Sequence, residues 1–404
     1  MAKIRNSHRA STVAARRERI QANSTTTIAT VIRTALQAGY LLLLPRLVDT
    51  ETAAQVFLAV SVSTVAAPLA SLGSQFRLIK TLAAAGRGNL QDVIPSFLIG
   101  PLLLIGVAGL VSRIYSIGFA PYFFEFFAIY LLVNYLRMFA DTLAQGYSIY
   151  NVSQIGYIAL WGLKLLATWS ISRQVPVNFA MIALIEVGVS IPWIGVTCTY
   201  MRRHWPIDAF QLPWKEDLQI ILATGVRSIW LEADRLLLPL FLGPASYVSY
   251  SIVSRAAVGA QALVSAYLGV ITPKIVRSTA RSIHLLLLSG IGITVIAIAA
   301  YLVGAGAVLV IYPNLGAMYI LILVLGLALI PTYYAASMYS DYVFYNISAS
   351  GRVTINLIGA GMTVVGIGLT AITNWVPATT IGLLASFSLG TAYAKYRIRK
   401  SIPC

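Results

Sequence analysis

Charge is scarce in this sequence: only 10% of its 404 residues are Asp, Glu, Lys or Arg, against roughly a quarter in soluble domains. Acidic residues are the fewest, 13 against 29 basic ones. Histidine occurs three times, at His8, His204 and His284, which leaves little material for the commonest kind of acid–base catalysis. Two cysteines, Cys198 and Cys404, both expected on the cytoplasmic side, exclude a disulfide framework. An ordinary soluble domain is excluded by the same figures.

What is present instead is apolar: 58% hydrophobic residues and a mean hydropathy of +0.80. A membrane-spanning helix needs about 20 apolar residues. Apolar runs bounded by charges, Gly/Pro or turn residues predict helices over 27–47, 53–74, 93–113, 118–140, 153–172, 178–200, 217–242, 246–272, 284–311, 316–340, 351–373 and 377–396. The first run is too long for a signal-peptide core and no small-residue cleavage site follows it, so it reads as a retained helix.

The formal net charge of +16 could point to nucleic acid, but its placement points to membrane orientation. With the amino terminus inside, cytoplasmic segments hold 21 Lys/Arg and the external loops three, Arg46, Arg113 and Arg173. The other five lie within helices. An even number of helices, with both termini cytoplasmic, preserves this asymmetry. The expected division is a basic cytoplasmic tail (1–26), an amino-terminal six-helix lobe (27–200), a cytoplasmic inter-lobe loop (201–216), a carboxy-terminal six-helix lobe (217–396) and a second basic tail (397–404). The basic cytoplasmic segments are expected to lie on anionic lipids.

The chain repeats itself. Ile28–Pro45 (IATVIRTALQAGYLLLLP) and Leu222–Pro239 (LATGVRSIWLEADRLLLP) align at a separation of 194, with seven identities that include Arg33/Arg227 and Pro45/Pro239. A second pair, Tyr150-Asn151-Val-Ser153-Gln-Ile-Gly156 and Tyr345-Asn346-Ile-Ser348-Ala-Ser-Gly351, aligns at 195. Six helices per repeat is an even number, so the halves run parallel, related by an axis along the membrane normal. The fold class is thus all-α: about twelve transmembrane helices in two parallel-repeat lobes around a central cavity.

A charge within the bilayer normally faces a cavity or a partner. Arg33, Arg227 and Arg255 are the candidate cavity cations, and a guanidinium suits a phosphate because its planar fork donates two hydrogen bonds. Lys164, Glu186, Glu232, Asp234 and Arg235 either line the cavity or form structural pairs: Lys164 with Glu186, Glu232 with Arg235, and Arg227 with Asp234, seven residues on. Tyr333, Tyr334, Tyr339, Tyr342 and Tyr345 could stack on sugar rings, although an interfacial belt is the better reading. No metal site or cofactor is indicated; coupling to H+ or Na+ is left open.

The stretches YLLLLPRLVDTETAAQVFLAVSVSTVAAPLASLGSQFRLIKTLA (40–83) and EADRLLLPLFLGPASYVSYSIVSRAAVGAQALVSAYLGVITPKI (232–275) resemble the helix–short loop–helix that opens each half of the Wzx-type polysaccharide flippases. That family is part of the multidrug/oligosaccharidyl-lipid/polysaccharide (MOP) exporter superfamily. Where such relatives carry a glycine after the first external loop of each half, this chain has Gln55 and Ser249. The resemblance implies a MOP/MATE-like fold in the bacterial cytoplasmic (inner) membrane. It also implies translocation by alternating access of a polyprenyl-diphosphate-linked oligosaccharide, a repeat unit of O-antigen, lipopolysaccharide, exopolysaccharide or another surface polysaccharide. Cationic residues at the matching positions, Arg33, Arg227 and Arg255, would line the lumen, and other polysaccharide-biosynthesis proteins in the membrane would be partners.

Two other functions compete. A cation-coupled multidrug exporter of the same superfamily would need acidic residues for its ligand; Glu125, Glu186 and Asp234 are candidates. A membrane-embedded polysaccharide polymerase or acyltransferase is disfavoured by the absence of a large external loop and by the placement of the histidines. The expected answer is a transporter, not an enzyme.

Overall fold

The computed structural model describes residues 29, 32–71, 74, 94–115, 123–146, 150–204, 215–276 and 282–401. The basic tail over residues 1–26 and most of the inter-lobe loop, residues 205–214, lie outside them. The described residues form helices and no strands. In the first half these are α1 (32–47), α2 (Thr50–Ala70), α3 (Ile94–Ile114), α4 (Phe123–Gly146), α5 (Tyr150–Ser172) and α6 (Phe179–His204). In the second half they are α7 (Lys215–Leu237), continued by a short 3-10 turn (Leu238–Leu240), α8 (Pro244–Val276), α9 (Ser282–Ser289), α10 (Ile291–Ile311), α11 (Ala317–Asn346), α12 (Ala349–Thr373) and α13 (Pro377–Lys400).

Eight of the described helices, α2–α6 and α10–α12, are long and apolar enough to cross a membrane, so the chain is a multi-pass membrane protein. Large apolar side chains such as Leu98, Leu102, Val303, Val310 and Ile372 stand exposed on them, as a lipid-facing surface requires. Helix α7 falls outside the eight because it carries Arg227, Glu232, Asp234 and Arg235. It packs between α2 and α12.

Local chemistry explains where helices begin and break. The Asp49 carboxylate caps α2, accepting from the Thr52 amide and hydroxyl, each at 2.8 Å, which satisfies donors left open in the first turn. The helix expected over 284–311 is interrupted at Gly290. Here Tyr334 of α11 presses its phenol against the backbone: a Cβ on Gly290 would lie 1.8 Å from the hydroxyl oxygen, so only glycine fits. The same construction occurs in the first half, where a Cβ on Gly100 would lie 2.3 Å from the Tyr135 hydroxyl. Tyr135 donates to the Ser96 carbonyl at 2.7 Å, and Tyr334 to the Leu286 and Leu287 carbonyls at 3.4 and 3.2 Å. In both halves an acceptor sits four residues before the glycine.

The second matched segment behaves differently. Tyr150 and Asn151 open α5, whereas Tyr345 and Asn346 close α11, and Ser348 caps α12 by accepting from the Gly351 amide at 3.0 Å. Those two stretches are therefore not structural equivalents. At the separation of 194, Ser61 and Arg255 are matched positions, and the Arg255 guanidinium donates to the Ser61 hydroxyl at 3.2 Å. In a two-fold arrangement only residues on the axis meet their own equivalents. The axis between the halves therefore passes between α2 and α8.

Candidate functional site

In the first half, Glu186 of α6 is held from two sides. Lys164 of α5 forms an ion pair with one carboxylate oxygen and Arg137 of α4 with the other. Arg137 also donates to the Asn134 amide oxygen, and the Lys164 ammonium stands 4.1 Å from the Trp161 ring. Burial of this group is close to complete, with Lys164 and Glu186 each 2% exposed. Charges desolvated to this degree persist only when paired. Lys164 and Glu186 thus meet as an ion pair. Arg137, grouped by sequence with the cytoplasmic residues, sits inside the bundle.

Beside this group lies a cavity of about 220 Å³, lined by residues of α1, α2, α4 and α5 that include Gln37, Thr64, Asn134, Arg137, Tyr157 and Trp161. Arg33 precedes Gln37 by four residues on α1, and positions so spaced share a helix face. Its guanidinium stands 5.0 Å from the Tyr157 ring, and that of Arg137 stands 5.5 Å from the same ring. A cation over an aromatic face gains about 0.5–2 kcal/mol, less than an ion pair would give a buried charge. The Arg33 Nε is buried without a hydrogen-bond partner, and no carboxylate lies within ion-pair distance of Arg33 among the described residues.

The second half neutralises its charges differently. Arg227 pairs with Asp341 of α11 at 3.4 Å and approaches the Ser337 hydroxyl at 3.4 Å. Arg352 of α12 reaches the same Asp341 oxygen at 3.2 Å. Arg235 pairs with Glu232 at 2.9 Å and donates to the Ser254 hydroxyl at 3.3 Å. Asp234 accepts from the Tyr250 hydroxyl at 2.5 Å. The expected Arg227–Asp234 pair does not form. Seven residues share a face but are separated by about 10.5 Å of helix rise, so each finds its partner on another helix. Glu232 and Asp234 stand near enough to Arg255 to stabilise its charge, but both are already engaged. Arg255 itself is 4% exposed, its hydrogen bond goes to Ser61, and its Nε is buried without a partner. The cavity here, bordered by Asp234, Arg235, Tyr250 and Gln261, holds only about 30 Å³, room for a water molecule.

The three candidate cations are therefore dispersed. Arg33 lies against Tyr157 of the first-half cavity wall, Arg227 lies between α7 and α11, and Arg255 sits on the inter-half axis; none of the three lines either cavity. The tyrosines of α11 do not form an interfacial belt. Tyr333, Tyr334, Tyr339 and Tyr342 are at most 5% exposed, and Tyr333 shares a 2.8 Å hydrogen bond with Ser265. The Tyr345 side chain lies outside the described residues. Sequence reasoning missed Arg137 and Asp341. Both sit late in their helices, at positions that resemble an interfacial charge until the partner helix is known.

No protein-family profile and no curated protein matches this sequence. Solved structures do. The chain resembles an inward-facing and an outward-facing conformation of a multidrug-resistance MATE family transporter of the MOP superfamily, both at TM-score 0.61, with 13% and 14% identity. Each comparison covers 94% of this chain and 96% of the other. A MOP superfamily transporter from Pyrococcus furiosus, described as having a binding pocket of reverse polarity that suggests a different function, matches at TM-score 0.55 and 14% identity over 94% of this chain and 95% of that one. The fold is thus the MATE/MOP transporter fold over nearly the whole chain.

Proposed function

We propose that this protein is a flippase that carries a polyprenyl-diphosphate-linked oligosaccharide across the bacterial cytoplasmic membrane by alternating access, supplying surface polysaccharide synthesis. The carrying observation is Arg33: a half-buried guanidinium against Tyr157 of the larger cavity's wall, with no carboxylate at ion-pair distance among the described residues. The first-half group holds Arg33, Arg137 and Lys164 against Glu186 alone among the described side chains. The four buried carboxylates among the described residues, Glu186, Glu232, Asp234 and Asp341, are each engaged by a cation or a tyrosine hydroxyl. A ligand entering this bundle meets cationic surplus, which suits a diphosphate and repels a cationic drug. The sugars would occupy the polar and aromatic surface formed by Gln37, Asn134, Tyr157 and Trp161.

The second reading, a cation-coupled multidrug exporter, draws on the transport described for the MATE structures of the same fold. Complementation separates the two. In a strain lacking its own flippase, the wild-type chain should restore surface glycan, and Arg33→Ala should reduce it at least tenfold at equal membrane abundance. Surface glycan retained by Arg33→Ala, or drug resistance conferred without glycan export, would reject the flippase.

A further inference from the structure

The motif shared most cleanly by the two halves, Leu-Leu-Leu-Pro at 42–45 and 236–239, is also where they touch at one end. A proline within a helix offers no N–H to the carbonyl four residues earlier, and its ring crowds the preceding turn. The carbonyls of Leu41 and Arg235 thus lose their helical donor, and the next ones, of Leu42 and Leu236, have a second lone pair for an outside donor. Tyr247 donates to the Arg235 carbonyl, four residues before Pro239, at 3.1 Å. The next carbonyl, that of Leu236, accepts from Tyr115, the residue that follows α3 in the other half. The Leu42 carbonyl, three residues before Pro45, accepts from Tyr312, the residue that follows α10, at 2.7 Å.

These two bonds are one contact made twice. Leu42 and Leu236 differ by 194, the separation that puts Ser61 against Arg255 on the axis. Tyr115 and Tyr312 each follow an isoleucine at the end of the third long helix of their half. Each half therefore offers a carbonyl and receives a hydroxyl, the reciprocal pattern of a two-fold interface. The copies differ in one respect: Arg46 lies 5.1 Å from the Tyr312 ring and donates to the Ile311 carbonyl, whereas the equivalent of Arg46 is Leu240.

We infer that Tyr115 and Tyr312 form a reciprocal clasp that holds the halves together at the Pro45/Pro239 end, and that must release both hydroxyls for the protein to open there. The inference rests on alternation between two openings but on no particular cargo. Opening swings each half about its own core, so an α3 end anchored in one half leaves an α7 end anchored in the other. The Arg46 contact makes the Tyr312 bond the firmer of the two.

The test uses full-length protein in lipid nanodiscs, with the native cysteines replaced by serine and spin labels on Glu51→Cys and Ala245→Cys. Both positions are exposed and differ by 194. A second labelled pair, Thr199→Cys and Arg399→Cys, monitors the opposite end. Pulsed dipolar distances should show a longer population at 51/245 rising about fivefold over the shorter one in Tyr115→Phe, the effect of one lost hydrogen bond. Tyr312→Phe should exceed that, and the double variant should exceed about twenty-five-fold if the losses add. The 199/399 distances should shorten in step. Arg46→Ala, which keeps both hydroxyls, should move the 51/245 distribution in the same direction but less than Tyr312→Phe. Unchanged distributions in a folded double variant, or equal effects of lengthening at both ends, would overturn the clasp. Because no cargo is present, this outcome is independent of whether the protein exports glycan.

Discussion

The two halves solve the same problem, cations inside a bilayer, in different ways. At matched positions the first half carries Arg33, without a carboxylate partner among the described residues and against Tyr157 of the wall of a cavity of about 220 Å³, while the second carries Arg227, held by Asp341. The second half also gathers Glu232, Asp234, Arg235 and Arg255, with Asp234 and Arg235 bordering a space of about 30 Å³. Both halves use a glycine–tyrosine contact, Gly100/Tyr135 and Gly290/Tyr334, but neither the two glycines nor the two tyrosines share the separation of 194, so the contact recurs in kind and not at matched positions. Among the described residues Arg33 and Arg255 have no carboxylate at ion-pair distance, whereas Arg137, Lys164, Arg227, Arg235 and Arg352 are paired.

The largest way to disturb this contrast is at Glu186. Glu186→Gln leaves Lys164 and Arg137 as buried cations without their carboxylate. Removing one partner of a buried pair costs about 3–5 kcal/mol. Thermal unfolding of purified protein followed by tryptophan fluorescence should register a fall of that order, and an unchanged transition would mean that the group is solvated. A smaller effect is expected at the shared contacts. Gly290→Ala and Gly100→Ala should each destabilise by about 1–3 kcal/mol, the usual cost of overpacking, with partial recovery in Gly290→Ala combined with Tyr334→Phe. Absence of any recovery would assign the loss to helix geometry instead.

The smallest and most informative change is Asp341→Asn. It removes the carboxylate that Arg227 and Arg352 share at 3.4 and 3.2 Å, making the second half resemble the first. Both pairs are longer than those at Glu186, and Arg227 is the more exposed cation at 22%, so the loss should be smaller than at Glu186 and folding should survive. Binding of inorganic diphosphate, measured by isothermal calorimetry, should tighten or gain a second site in this variant. Weaker binding would show instead that Asp341 organises the existing site.

Much of this was legible in the residues and some was not. The all-helical membrane fold followed from apolar run lengths, and the matched Arg33/Arg227 and Pro45/Pro239 located the duplication. The pairings did not follow. Spacing along one helix says which residues share a face, but Asp341 reaches Arg227 from α11 and Tyr250 reaches Asp234 from α8. The break at Gly290 needed a phenol from another helix, and the α11 tyrosines looked interfacial because their burial depends on α8, α9 and α13. One signal was present and unread: the Ile-Tyr that ends the third long helix of each half.

The contact between Ser61 and Arg255 has a consequence for how such a molecule can arise. In a dimer of identical subunits, the residue on the axis faces a copy of itself. An arginine there would meet an arginine, and at about 4 Å the repulsion would run to several kcal/mol in a part-buried setting. A single polypeptide carrying both copies escapes this constraint, because the two axial positions mutate separately. One became the guanidinium and the other the hydroxyl that receives it. An axial cation is thus available to a fused chain and closed to its unfused counterpart.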